Sequence, residues 1–202
     1  MNHKKLIYAC IYGASTAAVP GSIMVALQLA GYSDWRIVLF LMPILMILAL
    51  PFTKVKTRML QILLFAMAFI LTAIQFLVLL DSARFTAFER LAERSKPLVT
   101  AIKQYEKLKG KPPSTLDELV PQFLSNIPGT GMPAYPNYEY KVITVEEAIP
   151  SNLDRPAWEL SVPCPIGMLN WDVFFYWPTE QYPESIYGGS VKPIKNWAYV
   201  LE

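Results

Sequence analysis

Between Leu6 and Leu80 the chain is apolar except at two short gaps, one holding Asp34 and Arg36 and the other Lys54, Lys56 and Arg58. Three apolar blocks result. The first, residues 6–30, makes a helix of roughly 37 Å, enough for a hydrocarbon core of ~30 Å. The second, residues 36–52, is shorter and carries Pro43 and Pro51; it either spans with Tyr32 and Trp35 as interfacial anchors or forms a re-entrant segment, and the basic cluster after it favours spanning. The third, residues 59–80, has only Gln61, Thr72 and Gln75 as polar interruptions. The pattern predicts three transmembrane helices in residues 1–80, followed by a separate domain in residues 81–202.

After Asp81 the period stays helical but turns amphipathic: Phe85, Phe88, Leu91, Leu98, Ile102, Tyr105 and Leu108 recur mostly at spacings of three or four, with charges between them. Pro97 is placed to kink or interrupt this helix, and Gly110 before Pro112-Pro113 ends it. Ser114 or Thr115 then caps a short helix, with Asp117 and Glu118 as capping partners. Beyond Pro128 the period becomes two. Residues 138–142, 158–162, 173–177 and 197–201 are the strand candidates, and Gly188-Gly189 is read as the turn between the last two. The fold class expected is a membrane α-helical part plus an α+β domain, one long helix packed on a small antiparallel sheet.

Charge gives this arrangement a direction. Residues 1–80 hold six basic residues and one acidic, a net of +5, whereas residues 81–202 hold twelve basic and fifteen acidic, a net of −3. The basic segments at Lys4-Lys5 and at Lys54 to Arg58 both belong on the cytoplasmic side, so three crossings put the C-terminal domain on the far side of the inner membrane. No ionisable residue interrupts a block, which argues against a transport pathway. The mildly acidic second half argues against nucleic acid as a partner. Small residues in the first block, Gly13, Ala17 and Gly21, fall four apart and form a candidate face for helix–helix oligomers.

The run from Ile102 to Pro128, I-K-Q-Y-E-K-L-K-G-K-P-P-S-T-L-D-E-L-V-P-Q-F-L-S-N-I-P, resembles the matching segment of type IV pilin-like and type II secretion major pseudopilin-like domains. Tyr105, Gly110, Pro113, Leu116, Leu119, Pro121, Leu124 and Pro128 carry the resemblance, which covers about residues 59–145. It implies a membrane helix running into an amphipathic one that lies on a sheet, in a subunit of an envelope assembly. The prepilin cleavage glycine and its glutamate are missing around residues 52–57, and Asp154, Asp172 and Glu180 are too scattered for the pseudopilin calcium loop.

Catalytic chemistry has little to work with. The only histidine is His3, which excludes Ser-His-Asp and Cys-His arrangements, and histidine zinc sites, from the second half. Asp117-Glu118 and Glu146-Glu147 read as a helix cap and a solvated turn, and Cys164 as a packed thiol. No enzyme activity, cofactor or metal is expected. What stands out is aromatic: Phe174, Phe175, Tyr176 and Trp177 are consecutive, and a strand points successive side chains to opposite faces. Some must therefore lie under a loop or meet a partner. Trp171, Phe174, Tyr176, Trp177, Tyr182 and Tyr187 are the candidate partner-binding residues. The function expected is a non-enzymatic structural or interaction subunit, its partners other membrane or envelope proteins. The alternative is a membrane-anchored module that stacks glycan or peptidoglycan on the aromatic surface.

Overall fold

A computed structural model describes residues 3–32, 59–144, 153–165 and 171–201. The chain divides into two compact units, Met1–Ala30 with Asp34–Arg84, and Gly31–Ser33 with Phe85–Glu202. Its elements in order are helices α1 (His3–Leu29), α2 (Met59–Arg94) and α3 (Lys96–Lys109), a 3-10 turn (Leu116–Leu119), and strands β1 (Glu139–Val142), β2 (Trp158–Pro163), β3 (Val173–Tyr176), β4 (Ser185–Ile186), β5 (Gly189–Ile194) and β6 (Trp197–Leu201).

Two helices, Ile7–Leu29 within α1 and Phe65–Arg94 within α2, are long and apolar enough to cross a membrane. The second block, residues 36–52, lies outside the described residues. Many large apolar side chains on the two helices are exposed, Tyr12 at 65% and Val78 at 63% among them. The hydroxyls of Thr16, Ser22 and Thr72 donate to carbonyls one turn back, which satisfies them within their own helix. Where α1 and α2 touch, they run parallel. A Cβ on Gly13 would overlap the Phe65 backbone, one on Gly21 would overlap the Phe76 ring, and Met24 packs farther along with Leu80. Contacts that advance in the same direction on both helices define that polarity. Gly13 and Gly21 thus use their missing side chains to admit α2 of the same chain, and Ala17 between them is fully buried.

In the second unit the helix is interrupted where proline predicts it. Pro97 cannot donate to the Glu93 carbonyl, so α2 stops at Arg94 and α3 restarts at Lys96, with the Ser95 hydroxyl donating to the Leu91 carbonyl at 2.7 Å. Gly110 takes the left-handed conformation at φ 72° and closes α3 through its N–H to Glu106. The following turn is 3-10 rather than α. Thr115 stands at its N-cap without a side-chain bond, while Glu118 supplies half of a capping box by accepting the Ser114 N–H at 3.0 Å and also receives the Tyr105 hydroxyl.

The sheet has six antiparallel strands in the order β1-β2-β3-β6-β5-β4. Gly188-Gly189 does not join the last two expected strands. Tyr187 and Gly188, at φ 55° and 87°, turn β4 into β5, and Lys195-Asn196 turns β5 into β6. Strands β4 and β5 escape sequence reading because Gly-Ser-Val-Lys-Pro-Ile has no alternation and contains a proline. Pro193 is tolerated because β4 pairs only with Gly189 and Ser190, leaving that edge of β5 without a neighbour.

The buried side chains of the sheet fall into two clusters. In one, Trp158, Leu160, Phe174, Tyr176, Trp197 and Tyr199 share a core with Phe88, Leu91, Leu98 and Ile102 of the helices. In the other, Phe175, Trp177, Ala198 and Val200 pack against Leu153, Tyr182, Ile186 and Val191.

Candidate partner surface

The strand period sorts the aromatic run onto the two faces. Phe174 packs its ring against Phe88 at 4.8 Å and stacks on Trp197 at the same distance, and Tyr176 lies 5.6 Å from Trp158. Both are fully buried. The Tyr176 hydroxyl donates to Glu180 at 2.7 Å, while Lys103 of α3 reaches the same carboxylate at 3.5 Å and sits over the Tyr176 ring. Burial pushes the Tyr176 phenol up, and its bond to Glu180 pushes it further. Burial would raise Glu180 too, but the Tyr176 hydroxyl and the Lys103 charge together hold that carboxyl below its usual range.

Trp177, also fully buried, faces the opposite way. It stacks on Tyr182 with ring centroids 5.9 Å apart, and Phe175 meets Tyr182 edge-on at 5.3 Å. The Tyr182 hydroxyl donates to the Asn196 carbonyl at 2.6 Å, which pins the segment after β3 over the second face. Burial raises the Tyr182 phenol well above its ordinary value.

Beneath this layer is a buried carboxylate. Glu159, between Trp158 and Leu160 in β2, is only 4% exposed. One of its oxygens accepts the Trp177 indole N–H at 2.8 Å and the Tyr187 hydroxyl at 2.8 Å, and Lys141 lies 3.9 Å from the other. Lys141 also stands 5.6 Å from the centre of the Tyr187 ring. With one carboxylate, two neutral donors and a cation, the arrangement balances a buried charge and fastens the tip of the β4–β5 hairpin to the sheet. The signal in the sequence was the four-aromatic run. A strand greasy on both faces has no solvent side, so its polar neighbours are inside as well.

Of the six candidate partner-binding residues, Phe174, Tyr176 and Trp177 are interior, Tyr182 is half-buried, and Tyr187 and Trp171 are exposed at 45% and 74%. The six are not brought together on one surface. Among the described residues no group of three or more His, Cys, Asp or Glu side chains is placed to hold a metal ion. Cys164 is buried in the larger core, its N–H donating to the Asp172 carbonyl at 2.8 Å. No family model, no curated protein and no solved structure matches this chain.

Proposed function

We propose that the chain is a three-crossing protein of the inner membrane, with its N-terminus in the cytoplasm and its α+β domain on the opposite side. In this reading it is a non-enzymatic structural or interaction subunit of an envelope assembly, and its domain is pilin-like. The observation that carries it is the outward-facing apolar surface of two helices that run parallel. Parallel helices that both cross leave the chain on the far side after the first, so it must cross back before the second. The apolar block at residues 36–52 has the composition for that return leg, and the basic cluster from Lys54 to Arg58 then joins Lys4 and Lys5 on the cytoplasmic side.

The pilin-like reading adds that the end of α2 and all of α3 lie over one face of the sheet. The Phe88 ring against Phe174 and Tyr199 supports it, as does the shared core. A glycan-stacking platform needs exposed rings in a row, and Phe174, Tyr176 and Trp177 are inside. Solubilisation of native membranes in mild detergent, followed by purification of the full chain, tests the assembly role. A stoichiometric membrane or envelope protein is the expected companion; a chain that purifies alone under every mild condition overturns it.

A further inference from the structure

The most exposed tryptophan among the described residues, Trp171, lies at a particular end of the sheet unit, and two chains of contact locate it. The first begins where the chain leaves α1. Gly31, left-handed at φ 81°, accepts the Ala134 N–H at 3.0 Å, and the Tyr135 hydroxyl donates to the Pro165 carbonyl at 3.3 Å. The neighbouring Cys164 N–H donates to the Asp172 carbonyl. The second begins at Phe85, four residues after the apolar run of α2 ends at Asp81. Phe85 meets the Tyr199 ring edge-on at 5.7 Å, and the Tyr199 hydroxyl bonds the Asp172 carboxylate. Both chains converge on Asp172, the residue next to Trp171. The end of the unit that receives the chain from both apolar helices therefore also carries Trp171. Tyr32, directly after Gly31, is 47% exposed at the same end, and Lys192 lies 3.7 Å over the Phe85 ring.

We propose that Trp171 is an interfacial anchor that docks this end of the domain on the headgroup region of the lipid bilayer. An indole combines an apolar body with one N–H donor, which suits the boundary between acyl chains and water, and tyrosine and lysine share that preference. Continuity with both apolar helices selects lipid as the occupant. The proposal rests on the reading of those helices as membrane-spanning.

The test uses the full chain with Trp35→Phe, reconstituted into phosphatidylcholine–phosphatidylglycerol vesicles. Trp158, Trp177 and Trp197 are fully buried, so Trp171 is then the exposed emitter. Lipids brominated near the glycerol end of the acyl chain should quench the emission, and that quenching should be lost when Trp171→Phe is added. Equal quenching with and without Trp171, or quenching of Trp171 by aqueous iodide but not by lipid, overturns the anchor. Protection of Trp171 from both quenchers means that protein covers it, which also overturns the lipid assignment. Flotation of the same vesicles after alkaline carbonate separates the two levels: protein that fails to float defeats the membrane-spanning reading itself.

Discussion

Tyr187 occupies a backbone conformation that costs an aromatic residue about 1 kcal/mol or more, and its hydroxyl bond to Glu159 helps to hold it there. Tyr187→Phe removes one of two short bonds to a buried carboxylate and should lower stability by about 1 kcal/mol. Glu159→Ala strands the buried Trp177 indole N–H as well, and the loss should rise to roughly 2–3 kcal/mol. Chemical unfolding of the full chain in detergent, followed by near-ultraviolet circular dichroism, measures both. A Glu159→Ala change no larger than Tyr187→Phe would show that the indole bond contributes nothing. None of this was visible in the period-two pattern. Phe175 on the neighbouring strand and Trp177 just after it make that side of the sheet dry as well.

Elements are joined by different means in the two units. The β5–β6 turn is tied to the break between α2 and α3 by Glu93, which binds Lys195 at 2.6 Å and Lys96. The Lys195 bond, then the Lys96 bond, draws the Glu93 carboxyl from 4.5 down to about 2. Because the folded value is depressed, the pair's contribution is present above the unfolded value near 4.5 and is lost as pH falls towards 2. Acid titration of stability should therefore be steeper in the parent than in Glu93→Gln across that window. High salt should shrink the difference, since the pair is exposed.

In the helical unit the described contact is close packing at Gly13, Gly21 and Met24, and its polarity can be read by cross-linking. In a Cys10→Ser background, Gly21→Cys with Phe76→Cys should form a disulfide on mild oxidation, whereas Gly13→Cys with Phe76→Cys should not. The reverse outcome would mean that α1 and α2 run antiparallel. Enlarging Gly13 to leucine should cost about 1–3 kcal/mol, because the Phe65 backbone cannot move aside as a side chain could.

At the scale of the whole molecule, direction is the quantity at stake. The proposed topology has three crossings, resting on the parallel contact of α1 and α2 and on the basic clusters. A reporter active only outside the cytoplasm, fused after Glu202, should therefore be active, and a cytoplasm-dependent reporter at the same point silent. An active cytoplasmic reporter would leave only an even number of crossings.

Composition and periodicity were enough to place several of this chain's elements. Apolar blocks are local facts of sequence, as are the proline at 97, the glycine at 110 and the strands whose side chains alternate, and each was legible because a single segment's own chemistry dictates it. Tertiary structure decided what depends on neighbours. Gly13, Ala17 and Gly21 read as a face for helix–helix oligomers, and at Gly13 and Gly21 the space left by the missing side chain is taken by the chain's own α2. Six aromatics read as one surface, yet burial distributed them over two faces and left Trp171 and Tyr187 exposed. The physical reason is the same in each case: a segment states what it can bury, but only the other segments determine what it is buried against.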